Sequence, residues 1–217
     1  RVTHDLIYSA LSYAVIERIT QGERQVGFLL SGGLDSSTIL SIALDYYNTR
    51  EVIYKPPVFT FGFSETAPDI LSATKMVEFL REKYGTDCIE WHRVIQPIED
   101  GLNALVEVIE SAETHDTTTI RASVPMYLIS KYISEKTNVK ILLSGEGSDE
   151  LFGGYLYFSY APSDIAFRAE VLKLLNGLYL YDALRADRMT AVHGLEIRPP
   201  FLDQQLIDIV LQSNDLK

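Results

Sequence analysis

The chain has 217 residues, 47% of them apolar and 23% charged, and its 19 basic against 30 acidic side chains give a formal net charge of −11. That composition supports a folded core, argues against a general nucleic-acid binder, which needs a basic face, and contains no apolar run near the ~20 residues of a membrane helix. Cys88 is the single cysteine, so no internal disulfide can form. With no signal peptide visible before it, the expected setting is a reducing one, the cytoplasm.

Along the chain, residues 4–19 place Leu6, Ile7, Leu11, Val15, Ile16 and Ile19 at three- and four-residue spacings, which predicts a helix. Residues 25–30 read as a buried strand and Ser36 to Tyr47 as a helix. A second strand is predicted from Val58 to Phe63, and Pro68 opens a helix reaching about Tyr84, because proline suits the first helical turn. Cys88 to Val94 reads as a strand with Cys88 as an inert core residue. Pro97 to Ser111 and Thr119 to Lys136 read as helices, and Val139 to Leu143 as a short apolar strand. From Ile165 onward the pattern is helical, with a break at Pro199-Pro200; whether 159–164 is a short loop or part of a longer one stays open. Continuous apolar strands alternating with helices predict an α/β fold: a mainly parallel five-stranded sheet covered on both faces, with a helical C-terminal part. In such sheets ligands bind beyond the C-terminal strand ends at a switch in strand order.

Two glycine-rich turns follow predicted strands. The first is Ser31-Gly32-Gly33-Leu34-Asp35-Ser36-Ser37. Its glycines allow a tight turn and close backbone approach to an oxyanion, and its hydroxyls add donors. Neither a lysine-bearing phosphate loop nor a GxGxxG dinucleotide motif is present. A serine-capped strand-to-helix turn is the structural alternative. The second turn, Ser144-Gly145-Glu146-Gly147-Ser148-Asp149-Glu150, holds three carboxylates in five residues. Carboxylates that close repel unless they share a cation. Oxygen ligands suit Mg²⁺, which commonly takes one or two carboxylates plus substrate phosphate. Asp35 and Asp149 are the candidate ligands; a solvated acidic loop is the alternative.

These two turns stand in order with the string TTTIRAS after Asp116, YDALRADR from Tyr181 to Arg188, and HGLEIRPPFLD from His193 to Asp203. Together they resemble the pyrophosphate-loop ATPase domain of glutamine-hydrolysing asparagine synthetases, over nearly the whole chain. The resemblance implies an adenine nucleotide alpha hydrolase-like fold. It also implies a reaction in which aspartate attacks the α-phosphate of ATP, giving β-aspartyl-AMP and pyrophosphate, and ammonia then displaces AMP. By this likeness Ser31, Gly32, Gly33, Asp35, Ser36 and Ser37 hold the leaving pyrophosphate. Leu30 and Phe61 border adenosine, Ser144 and Gly145 contact the nucleotide, and Asp35 and Asp149 bind Mg²⁺. Glu146 is the candidate proton acceptor when ammonia attacks, and Thr118, Thr119 and Arg121 hold the amino acid or the phosphates. Asp182 orients the amine or caps a helix. Arg185, Asp187, Arg188, Glu196 and Arg198 read as a structural charge cluster, and His193 as a buried hydrogen-bonding residue. β-Lactam synthetases and peptide cyclases share the ATP half, and a nucleotide-binding module without turnover is a further reading.

The family's N-terminal glutaminase domain, with its cysteine nucleophile, and its lysine-bearing C-terminal tail are expected to be absent from 1–217, which then forms one ATP-pyrophosphatase domain. Lys217 is not assigned the tail lysine's role. Ammonia is expected from a glutaminase domain outside this chain. A second copy of the chain is a candidate partner; no nucleic acid or membrane is expected.

Overall fold

The computed structural model describes residues 3–22 and 24–212, so Lys217 lies outside the described residues. Five parallel strands form one sheet in the order β3-β2-β1-β4-β5. They are β1 (Val26–Leu29), β2 (Pro57–Gly62), β3 (Glu90–Ile95), β4 (Ile141–Leu143) and β5 (Glu196–Arg198). The chain winds outward from β1 to β3, then returns to the far side of β1 for β4 and β5. β1 and β4 are therefore neighbours at the reversal, with Phe28 beside Val58 on one side and Leu143 on the other.

Alternation along the strands divides the core. Phe28, Val58, Ile141 and Leu143 pack with α1 (His4–Thr20), α2 (Leu34–Thr49), α3 (Pro68–Tyr84) and α10 (Gln204–Gln212). Phe59 and Leu142 point the other way, onto Ile129 and Ile133 of α6 (Thr117–Lys136). Being covered on both faces, the inner strands are apolar at every position but Thr60 of β2, which made them legible as nearly unbroken runs. Among the described residues no helix is long and apolar enough to cross a membrane.

Helix starts follow side-chain chemistry. Thr3 caps α1 and Asp116 caps α6, each accepting a backbone N–H one turn on. Pro68 is the first residue of α3. The observed α2 begins at Leu34, two residues earlier than expected, because Gly33 takes the cap position with extended backbone. The helix expected over 97–111 is two pieces, α4 (Ile98–Asn103) and α5 (Leu105–Ala112), hinged at Ala104.

The C-terminal third differs most from expectation. It holds α7 (Ser148–Phe152), α8 (Asp164–Gly177), α9 (Asp182–Ala191) and α10, but also the edge strand β5 where only helix and a proline break were expected. Glu196-Ile197-Arg198 is too short and too charged to read as a buried strand. Arg198 also donates to the carbonyls of Arg18 and Gln21 at the end of α1. The expected strand from Cys88 starts only at Glu90. Cys88 sits in the preceding turn, half-buried, its Sγ against the Leu80 carbonyl at 3.6 Å, and burial pushes its thiol pKa up.

Candidate functional site

The turns after β1 and β4 open side by side at the sheet's switch point. Both line a cavity of about 380 Å³ that includes Ser31, Gly33, Asp35, Ser144, Glu146 and Asp149. The first turn is knitted by its own hydroxyls. Ser36 Oγ accepts the Ser31 backbone N–H at 3.3 Å and lies 3.1 Å from Ser31 Oγ, which accepts the Gly33 N–H. Gly32, at φ +79°, passes so close to α3 that a Cβ would lie 2.3 Å from the backbone of Ser72 and Ala73. Beyond it α2 presents the unpaired N–H groups of its first turn at the cavity, a setting that favours anions.

The second turn touches the first. A Cβ on Gly145 would lie 3.0 Å from Asp35 Cβ and 3.2 Å from the Ser36 nitrogen. Ser148 Oγ donates to Asp35 Oδ1 at 2.7 Å, joining α7 to α2. Ser144 is buried and its Oγ has no protein partner, so a hydroxyl is held ready for a ligand atom.

Asp35 and Asp149 enter the cavity from opposite turns. Burial, then the charge of Asp35, then that of Asp182, raise the Asp149 pKa. Among the described residues no group of three His, Cys, Asp or Glu is placed to hold a metal. The pair alone is a two-carboxylate, hard-oxygen donor set, and it fits a Mg²⁺ ion that takes its remaining ligands from phosphate and water.

Glu146 sits deeper. Its carboxyl is pushed up to about 7, first by burial, then by Asp182 and Glu150, against the opposing pull of Arg185. Arg185 Nη2 lies 3.2 and 3.1 Å from the two Glu146 oxygens and 2.8 Å from Asp182 Oδ1. Asp182 is the first residue of α9, where it lines the cavity and pairs with Arg185. Glu150 is almost fully buried and accepts the Tyr155 hydroxyl.

Two further cavities adjoin. One, of about 350 Å³, is mostly apolar and lined by Leu30, Phe61, Pro125 and Met126, a slot of the right character for a flat base. Thr60 braces it from behind: its buried Oγ1 donates to the Leu30 carbonyl at 2.7 Å and accepts the Trp91 indole N–H at 3.0 Å. The other, about 410 Å³, is lined by Thr118, Thr119, Glu150, Tyr155 and Asp182 at the start of α6. The expected residues thus gather around connected spaces, with three exceptions. Gly32 turns against α3 and lines none of these cavities. Ser37 is buried with an unpaired Oγ and lines none of these cavities. Arg121 is exposed on α6 and lines none of them either.

The expected charge cluster is dispersed. Arg188, one turn on from Arg185 along α9, pairs with Glu113 at 3.1 Å, and Arg198 pairs with Glu196 at 2.7 Å, so neither shares the Glu146–Asp182 pairing of Arg185. His193 packs edge-on against Tyr127 with its Nε2 unpaired, so ring packing holds it rather than the expected hydrogen bond. Arg185, Asp69 and Tyr155 are cavity residues that the sequence did not single out for a site. The one signal for Arg185 was its three-residue spacing from Asp182.

Known proteins match the chain over most of its length. A family profile described as asparagine synthase matches residues 6–172 and 161–216. The chain is 47% identical over 190 residues to the asparagine synthetase [glutamine-hydrolyzing] of Mus musculus, covering 88% of this chain and 32% of that protein. It is 48% identical over 183 residues to the Homo sapiens protein of the same description, covering 84% and 31%. A probable asparagine synthetase [glutamine-hydrolyzing] of Acanthamoeba polyphaga mimivirus matches at 44% over 201 residues, 93% of this chain and 34% of that protein. The chain spans about a third of the length of these curated relatives. With the family profile matching nearly end to end and the glycine turns meeting at the switch point, the chain belongs to the asparagine synthase family.

Proposed function

We propose that this chain carries the ATP-dependent amidation of aspartate to asparagine, through β-aspartyl-AMP, with release of AMP and pyrophosphate. The observation that carries the reading is the meeting of the two glycine turns. They set an anion-holding loop, a carboxylate pair, the Glu146–Arg185–Asp182 group and an apolar slot around connected cavities.

In this reading Leu30 and Phe61 border the adenine. The Ser31–Ser37 turn and the first turn of α2 hold the β- and γ-phosphates. Asp35 and Asp149 hold Mg²⁺, which when bound neutralises phosphate charge. A β-carboxylate oxygen of aspartate attacks the α-phosphorus, and the bond to the bridging oxygen breaks toward pyrophosphate. Ammonia then attacks the β-carbonyl carbon, Glu146 takes a proton from the attacking nitrogen, and the acyl–phosphate bond breaks to release AMP. A general base works best when its pKa lies near the operating pH, and burial brings Glu146 to about 7. Thr118 and Thr119 border the space beside Asp182 and are proposed to hold the amino acid. Arg121, exposed on α6, reaches such a ligand only if its side chain swings inward.

The test is AMP and pyrophosphate release from ATP and Mg²⁺ with ammonium and a series of acceptor amino acids. Aspartate should be the preferred acceptor. Preference for another acceptor would move the chain to the related adenylating enzymes, and release with none would leave nucleotide binding alone. Calorimetry with Asp149→Asn should lose the Mg²⁺-dependent part of ATP affinity; equal affinity with and without Mg²⁺ in the parent protein would refute the shared-metal assignment.

A further inference from the structure

Arg185 is buried to 15% side-chain exposure in the wall common to the acidic cavity and the apolar slot. A single nitrogen, Nη2, meets three carboxylate oxygens, two from Glu146 and one from Asp182. Its Nε is buried without a hydrogen-bond partner. A buried guanidinium N–H without a partner is costly unless a ligand completes it. An arginine placed only for stability would spend its planar fork on one carboxylate in two parallel bonds. This one spreads one nitrogen across two acids and leaves a second donor free.

We propose that Arg185 is the positioning residue of the amidation half-reaction, fixing the Glu146 carboxylate toward the acyl carbon and keeping it ionised for proton acceptance. The inference rests on the function proposed above and deepens it. The charged groups facing Glu146 are Arg185 and Asp182 on α9 and Glu150 on α7, with Asp35, Asp149 and Asp69 around the same cavity. Arg185 is the one cation among them. Removing it leaves Glu146 among carboxylates alone, and its ionisation must then occur at higher pH. Adenylation needs no proton acceptor at Glu146, so the two half-reactions should separate. Lysine would restore charge without the planar spread that reaches both acids.

The experiment uses the full-length protein and the variants Arg185→Gln and Arg185→Lys. Aspartate-dependent exchange of labelled pyrophosphate into ATP reads adenylation, and asparagine formation from ammonium across pH 6–9.5 reads amidation. Carbon-13 titration of the glutamate carboxyl, assigned with Glu146→Gln, reads Glu146 directly whether or not the protein turns over. Arg185→Gln should keep exchange within a few-fold, lose ~10²-fold in amidation, and move both the amidation limb and the Glu146 titration up by ~1–3 pH units. Arg185→Lys should return the titration toward the parent value while amidation stays slow. An unmoved titration in Arg185→Gln, or equal losses in both half-reactions, would overturn the proposal and leave Arg185 a structural residue. If Arg185→Gln does not fold, the lysine variant decides: full amidation there refutes the positioning role. If the parent protein shows no aspartate-dependent exchange, the functional reading fails, while the titration still reports whether Arg185 governs Glu146.

Discussion

Glu146 couples its chemistry to the stability of the fold. Its carboxyl titrates at about 7 in the folded state against an ordinary 4.5. Between those values the folded protein retains a proton that the unfolded chain has released, so stability falls as pH rises from about 4.5 to 7. The loss is at most ~3 kcal/mol. Urea midpoints of the metal-free protein between pH 4.5 and 8 should fall more steeply than those of Glu146→Gln, and the variant should be the more stable at pH 8. Parallel curves would show that Glu146 is not the titrating group. Gly32 makes a different demand. With φ +79° and the α3 backbone 2.3 Å from any added Cβ, Gly32→Ala must move the turn itself. The expected cost is ~1–3 kcal/mol, with nucleotide affinity lost as well, since the hydroxyls knitting the turn shift with it. An alanine variant with unchanged urea midpoint and ATP affinity would remove the steric argument. Residue by residue, the sequence was most legible where chemistry clusters locally, as in the two glycine turns. Arg185 was read as structural support because an Asp–Arg pair three apart on a helix looks the same on a solvated surface as in a cavity wall.

Elements were legible in proportion to how evenly they are buried. β1, β2 and β4 announced themselves as apolar runs because both faces are covered, and α3 through its first-turn proline. β5 did not, because it is an edge strand of three residues, two of them charged. The break at Ala104 was hidden because the apolar spacing continues across it into α5. The slot behind β1 and β2 depends on one buried polar link, Thr60, which joins the Leu30 carbonyl to the Trp91 indole across three strands. Thr60→Val keeps the shape and removes both hydrogen bonds, leaving a donor and an acceptor unsatisfied. The expected cost is ~1–3 kcal/mol by urea unfolding. Because the cost lies partly in the orphaned indole, Trp91→Phe should reduce the effect of Thr60→Val, a non-additivity that a double-mutant cycle reads. Strict additivity would mean that the link is idle.

At the scale of the molecule, strand order does the work that no single motif could. The reversal after β3 sets the turns at 31–33 and 144–147 against each other although more than a hundred residues separate them. The alternation of strands and helices made the sheet and its cleft predictable, whereas the separate partners taken by Arg185, Arg188 and Arg198 depend on packing that periodicity does not encode. An open sheet of this kind also has two rims, β3 and β5, where backbone N–H and C=O groups face outward and invite another chain to add a strand. β3 carries Glu90 and Arg93 there, with Arg93 tied to Glu65 at 2.6 Å. β5 is only three residues long, and its Arg198 is clamped onto the end of α1. The charges that concealed β5 as a strand are therefore the same ones that keep it from becoming a template. Replacing Glu196 and Arg198 together by valine should give a protein that scatters light on mild warming well before its cooperative unfolding, while Arg198→Lys stays clear. The least strand-like segment of the sheet is then its guard against fibrous self-association.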